Sequence, residues 1–463
     1  MRQIVLELPP EFGRFVLVFA AIGAVSAVLA NRGLSIFHDG LRPLIPSMVS
    51  GVLPRRDIAN TSFRLGLGFF WSFALPFSLG LTIPLVYLIF MATDWIGVRF
   101  NADHDRRWYE SGLSLRGLGG SAVAGAAWSA AVAVGVYGVV NVMQDLPIPM
   151  ADAMAQVADP VIFIFFLFPV LTVGYQYGLR HSIAGLGIGT VVWFAVASQG
   201  NEHHAAIWAF VATLAHLAVV AFGKIRAIHL AGDDVDPNDI LARWEQEAEA
   251  LDTPDDWEQF RKNIARIKRS IIPLASLYAL MGAAYHLAIM SNGPIAGRLY
   301  STGFVVPAAL VMLAWALSYV PMKFATAVVT GCMATGTFMD MAVAILMPNW
   351  WSAALALFIL RFVEVWSLEP VVRFLDAVPE VRGLSETMRT SIFHVMEIGF
   401  LIGGGLVAAQ FAGMFGFGAV VVIWWINSKA GSKIMPMAVG ALAALLVGFV
   451  ANFFEAVGLG MPT

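Results

Sequence analysis

An ionisable side chain inside apolar sequence costs on the order of several kcal/mol in a bilayer unless it is paired, faces water or reaches the interface, so such residues are the first candidates for chemistry. Three clusters meet that description. In Ser35-Ile36-Phe37-His38-Asp39-Gly40-Leu41-Arg42-Pro43 an imidazole, a carboxylate and a guanidinium lie within five positions of otherwise apolar chain. On a helix they would project to one side, but Gly40, Pro43 and Pro46 argue for a broken or re-entrant segment lining a cavity. Arg42 could then hold a substrate anion through two hydrogen bonds, with Asp39 as its partner in the empty state and His38 as a proton exchanger. The plainer alternative is an interfacial turn with a structural Asp39–Arg42 pair.

A second cluster, Arg361 and Glu364, shares one helix face and reads as a self-neutralising pair that locks helices together. The third, His394 and Glu397, opens an apolar helix containing Gly403-Gly404-Gly405, and Glu397 is a candidate proton carrier. His38, Asp39, Arg42, His394 and Glu397 are thus the candidate substrate-binding residues. Asp340, Arg361 and Glu364 are candidate coupling or structural charges. Asp159, Tyr175-Gln176-Tyr177, Asn427, Asn452 and Glu455 read as interhelical hydrogen bonds or caps. Trp350-Trp351 and Trp424-Trp425 read as interfacial belt residues.

Motifs of soluble chemistry are missing from the sequence: no Walker loop, no G-x-G-x-x-G after a strand, no H-E-x-x-H. Glu202-His203-His204 is the densest potential metal cluster, and its loop-end position makes it incidental. No catalytic residue, metal or cofactor is expected, and the chain is not expected to be an enzyme.

The elements that position these residues are membrane helices. Of 463 residues 59% are hydrophobic and only 13% charged, against roughly 25% charged in soluble domains, and the mean hydropathy is +0.76. Apolar stretches of spanning length recur along the whole chain, which excludes a soluble protein with one anchor and argues against nucleic-acid binding. The runs are long and rich in Ala, Leu and Gly rather than alternating, so an all-α polytopic fold of about 11–13 spans is expected, not a barrel. Leu65 to Ile96, with Pro76 and Pro84 inside, is either two helices or one kinked helix. The first run, Phe15 to Ala30, follows Glu7, Pro9, Pro10 and Glu11, a poor signal-peptide start, and reads as an uncleaved span. The lone Cys332 allows no intramolecular disulfide.

One segment breaks the pattern. Between Lys224 and Arg269 eleven acidic residues from Asp233 to Glu258 crowd together, flanked by Lys224 and Arg226 on one side and Arg261 to Arg269 on the other. Basic flanks place this loop in the cytoplasm by the positive-inside rule. A helix lying on the membrane surface is the preferred reading; docking of a cytoplasmic partner is the alternative. The loop divides the chain into an N-terminal membrane group (1–223), the acidic loop (224–269) and a C-terminal group (270–463). Two groups suggest related, inverted halves, although the recurrence of Ser35-Ile36-Phe37-His38 as Ser391-Ile392-Phe393-His394 is a match of chance size.

The stretch Phe37-His38-Asp39-Gly40-Leu41-Arg42-Pro43-Leu44-Ile45-Pro46 resembles the YhfT family of uncharacterised bacterial inner-membrane proteins. The similarity extends to Phe166-Leu167-Phe168-Pro169 through Tyr175-Gln176-Tyr177-Gly178, to Pro379-Glu380-Val381-Arg382 through Glu397, and to Ala412-Gly413 through Asn427, covering most of the chain. The acidic segment looks like a longer insertion than the family pattern. The resemblance implies a multi-pass inner-membrane protein regarded as a transporter without a settled substrate, and it carries over no site residues. The layout is also similar to the membrane subunits of ascorbate- and galactitol-type sugar phosphotransferase systems, which would imply an elevator-like homodimeric carrier with phosphorylating partners. Together these readings favour a transporter, ion-coupled or facilitative, of a small polar or anionic metabolite. The phosphotransferase-type permease is the alternative, and a membrane-embedded enzyme stands third.

Overall fold

The structure is a computed structural model that describes residues 11–36, 55–100, 115–200, 202–231, 254–334 and 338–459. His38, Asp39 and Arg42, and most of the acidic segment, lie outside the described residues. Apolar runs become helices because hydrocarbon offers no partner for backbone N–H and C=O groups. Helix α1 (Phe12–Asn31) leads to a two-residue strand, β1 (Ser35–Ile36). Helix α2 (Arg55–Phe69) continues through a π-helical turn, Phe70–Ala74, into α3 (Leu75–Leu81). Pro84 keeps Ile83 out of the helical region, and α4 (Val86–Arg99) starts just beyond it, so the stretch holding Pro76 and Pro84 is two helical runs rather than one. Helix α5 (Leu115–Gln144) ends this first set.

Five helices follow: α6 (Ala151–Ala155), α7 (Asp159–Ile164), α8 (Leu167–Tyr177), α9 (Leu179–Ala197) and α10 (Glu202–Ala231). After the charged helix α11 (Pro254–Arg269) comes a second set: α12 (Ile271–His286), α13 (Pro294–Ser301), α14 (Val305–Thr330), strand β2 (Met333–Ala334), α15 (Phe338–Leu346) and α16 (Trp350–Trp366). The chain ends with α17 (Leu368–Ala377), α18 (Pro379–Lys429) and α19 (Pro436–Ala456).

The two sets correspond in order and packing. Helix α1 packs on α4 and α5, and α12 packs on α15 and α16. The first helix of each set crosses the last one closely: a Cβ on Gly23 would sit 2.2 Å from the Gly125 carbonyl oxygen, and one on Gly282 would sit 2.7 Å from that of Ala353. Small residues of this kind let membrane helices approach backbone to backbone. The breaks pair reciprocally. Ser35, after α1, lies opposite Met333, after α14, while Ser291, after α12, bridges to Leu85, after α3; both pairings are parallel. This reciprocal pattern among the described residues is the one an internal pseudo-two-fold relation would give, and it involves the helices up to Gln144 and those from Ile271 to Trp366 rather than whole halves of the chain. The tetrapeptide match does not mark it, since Ser35–Ile36 is β1 whereas Ser391 and Ile392 lie within α18.

Helix α11 fastens one pair of breaks. The Asn263 side-chain amide donates to the Val328 and Val329 carbonyls, 2.9 Å each, at the end of α14, where Gly331 turns the chain with φ 65°. Arg266 donates to the Arg32 carbonyl at the end of α1, 2.8 Å. Terminal carbonyls of two helices, otherwise orphaned, are thereby satisfied just before β1 and β2. On its other side α11 meets α17 and the end of α16: Arg373 stacks on Trp257, Lys268 on Trp366, and Arg373 donates to Glu369, holding that carboxyl below the usual carboxylate range. Asn263→Ala is expected to destabilise the protein by about 1–3 kcal/mol, because buried acceptors lose their donor. Thermal unfolding of the full chain in detergent reads this, and an unchanged midpoint would mean the cap contributes nothing.

Among the described residues, 7 helices are long and apolar enough to cross a membrane, or 8 if α6 to α8, bent by 48°, count as one broken span. This is fewer than the apolar stretches in the sequence, because α12 and the run from Gly66 to Leu81 are shorter apolar helices. In addition, α18 enters that count once but folds back on itself. Ala412 (φ −145°, ψ 29°) and Gly413 (φ 56°, ψ −150°) leave helical geometry. A Cβ on Gly405 would touch the Phe417 ring at 2.7 Å, and one on Gly416 the Ala408 carbonyl oxygen at 2.1 Å. Residues twelve and eight apart meet only if arms 379–411 and 414–429 run antiparallel.

Candidate functional site

Beside the pairing of Leu85 with Ser291 lies a cavity of about 460 Å³, lined there by the nearby Tyr87 and Asn292. Its wall draws Phe69, Ser72 and Phe73 from the α2–α3 run, Tyr87 and Phe90 from α4, Trp315 and Tyr319 from α14, and Phe338 from α15. Residues Asn292 to Ile295 close it where the chain enters α13, and Phe393, Met396, Met435 and Met437 complete it from α18 and the start of α19. Rings line much of it: Trp315 stacks on Phe338 at 5.2 Å between centroids and meets Phe393 edge-on at 5.5 Å. Among the described residues, the charged members of the lining are Arg64 and Lys433, both basic and both exposed.

Two features of that wall bear on ligands. Helices α4, α13 and α19 begin at it, through Tyr87, Pro294 and Met437, and a helix start carries a partial positive charge. Asn292 is 1% exposed, and neither its amide nitrogen nor its amide oxygen has a hydrogen-bond partner. Its backbone N–H meets only the Met341 sulfur, at 3.3 Å. A buried carboxamide left unsatisfied at both ends costs about 1–3 kcal/mol for each group.

Behind Phe338, on the same helix, a buried charge cluster begins. Asp340 Oδ1 accepts from Arg361 at 2.8 Å; Arg361 also pairs with Glu364, and Glu364 with Lys323 from α14. The guanidinium lies over the Tyr278 ring of α12, 3.3 Å from its centroid. Two cations and two anions cancel, which is how such a group survives away from water. All four are at least nine-tenths buried, and Arg361 is fully buried. Asp340 Oδ2 and Arg361 Nε remain without hydrogen bonds.

The sequence-based candidates are distributed unevenly over this geometry. Asp340, Arg361 and Glu364 come together. His394 and Glu397 do not join them: His394 is exposed, with Nδ1 3.3 Å from the Tyr175 hydroxyl, and Glu397 accepts from Trp424 Nε1 at 3.1 Å inside the α18 hairpin. Their neighbours Phe393 and Met396 are the residues that reach the cavity. Trp424, half-buried, is therefore a hydrogen-bond donor within the hairpin. Asp159 holds Arg298 of α13 in two hydrogen bonds, 2.9 and 3.2 Å, and Asn452 pairs with both backbone groups of Ile148. His203 stacks on Phe304. Sequence reasoning missed Lys323, Tyr278 and Asn292. Lys323 is a lone charge two residues past Pro321 in an apolar helix, and Asn292-Gly293-Pro294 interrupts an apolar run, so both left a signal.

These features define a polytopic α-helical membrane protein with two reciprocally paired helix breaks and a cavity beside one of them. The chain belongs to the YhfT family, described as a protein of unknown function, whose profile matches residues 15–459. It is 25% identical over 461 residues to the uncharacterized protein YhfT of Escherichia coli (strain K12), covering 96% of this chain and 98% of that protein. No solved structure matches.

Proposed function

We propose that the protein is a transporter of a small polar or anionic metabolite, seated in the bacterial inner membrane, with the cavity at Leu85 and Ser291 as its substrate site. The observation that carries this reading is the reciprocal pairing of helix breaks across two corresponding helix sets, with a ligand-sized cavity at one pair. Discontinuous helices at a repeat interface are where secondary transporters bind their cargo, and about 300–1,000 Å³ is the usual range for small-molecule sites. The other pair of breaks, fastened by α11, is the counterpart that would open when the first closes. The cluster of Lys323, Asp340, Arg361 and Glu364 is the coupling candidate, because ionisable groups buried in spanning helices commonly mark ion or proton pathways. It connects to the cavity through α15, two residues from Phe338.

Uptake into proteoliposomes tests the reading. Reconstituted protein is expected to move at least one member of a broad metabolite panel under a proton gradient, a sodium gradient or none. Transport of nothing on the panel in all three conditions would sink it.

A further inference from the structure

We propose that the cavity selects a compact organic monoanion with a ring or other flat apolar body, rather than a sugar or polyol. The proposal rests on the cavity being a ligand site and deepens the transport reading. Four observations converge. The walls are rings: Trp315, Phe338, Phe73 and Tyr87 offer faces and edges to a flat body but few hydrogen bonds to a ring of hydroxyls. A polyol entering this box would leave most of its hydroxyls without partners, each costing about 1–3 kcal/mol. Among the described residues the charges in the lining, Arg64 and Lys433, are both basic, which favours an anion at the entrance. The helix starts at Tyr87, Pro294 and Met437 add partial positive charge. Finally, Asn292 is buried in the wall with its carboxamide unpartnered at both ends. A carboxylate oxygen would accept from the amide N–H. Pro294 contributes no donor there, and Asn292 supplies one.

Arg64 and Lys433 are exposed, so they steer the anion to the mouth, while Asn292 receives its charged end at depth. A fatty acid carries the same carboxylate with a longer tail and could come from the bilayer, so the test includes one.

Titration calorimetry on the full chain in lipid nanodiscs, with phenylacetate, benzyl alcohol, mannitol and decanoate as probes, decides the matter. Phenylacetate is expected to bind at least tenfold more tightly than benzyl alcohol, with no heat from mannitol and weaker binding of decanoate. Asn292→Leu is expected to weaken phenylacetate at least tenfold and leave benzyl alcohol unchanged. Arg64→Gln, an exposed change that does not threaten folding, is expected to weaken phenylacetate several-fold at low salt and little at high salt. Equal binding of phenylacetate and benzyl alcohol, tighter binding of mannitol, or tighter binding of decanoate would each overturn the proposal. So would an Asn292→Leu protein that melts normally and binds phenylacetate as before. Binding without flux in proteoliposomes would defeat the transport reading and leave this one standing; flux of a polyol without phenylacetate binding would do the reverse.

Discussion

Arg361→Met is expected to cost about 3–5 kcal/mol of stability, because it removes one partner from a buried ion-pair network and strands the others. Arg361 is fully buried and touches Asp340, Glu364 and the Tyr278 ring. Without it, two carboxylates face a single Lys323 ammonium, and the cation–π contact with Tyr278, worth up to about 2 kcal/mol when desolvated, is lost. The protein is expected to be recovered from membranes in much reduced amount and to melt well below the wild type in detergent. Neutralising the whole network by Lys323→Met, Asp340→Asn, Arg361→Met and Glu364→Gln together should restore much of that loss, since an apolar or neutral replacement of a buried network is often tolerated. The comparison separates two roles. If the network only locks helices, the fourfold variant transports; if it carries the coupling charge, the fourfold variant folds and no longer responds to a gradient. An Arg361→Met protein that melts like the wild type would mean the ion pairs contribute nothing to the fold.

The helical, membrane-spanning character of the chain was legible because spanning helices are written in hydropathy, and α1, α5, α10 and α19 coincide with apolar runs visible in the sequence. The α18 hairpin was not, because Ala412 and Gly413 sit in unbroken apolar sequence where the backbone torsions of two residues, not composition, turn the chain. Arg361 and Glu364 were visible as a pair by their spacing. Asp340 could be flagged as a lone acid, but its partnership with Arg361 depends on how α15 lies against α16, which no local spacing encodes. Lys323 escaped notice because one lysine in an apolar helix can equally well snorkel to the interface. The His394 and Glu397 spacing did place both on one stretch of helix, yet the cavity takes Phe393 and Met396. An offset of one residue is about 100° around a helix, enough to turn a correct segment to the wrong neighbour. Asn292 was passed over because Asn-Gly-Pro reads as an ordinary turn; what singles it out is an unpartnered amide, which only tertiary structure reveals.

Gly440→Ala is expected to disrupt the packing of α19 on the long arm of α18. A Cβ at Gly440 would lie 2.0 Å from the Phe400 carbonyl oxygen and 2.6 Å from its carbon, and a Cβ at Gly404 would lie 2.2 Å from the Gly440 oxygen. These obstacles are backbone atoms, so no rotamer change relieves the clash and the two helices must separate. Forcing even one methyl into a packed contact costs about 1–3 kcal/mol, and more where backbone has to move. Separation is also expected to reach the cavity, because Met396 comes from the same arm of α18 and Met437 from the start of α19. Ligand binding should therefore weaken along with stability. Gly418→Ala is the control: it lies in the other arm of the hairpin, where an added Cβ meets nothing within 4 Å. A glycine there is expected to be replaceable with a small gain, since alanine favours a helix over glycine by up to about 1 kcal/mol. Thermal melts of both proteins in the same detergent should diverge in opposite directions from the wild type. A Gly440→Ala protein that melts with Gly418→Ala would mean that α18 and α19 do not meet at this glycine pair, and the wall of the cavity that they build would have to be redrawn.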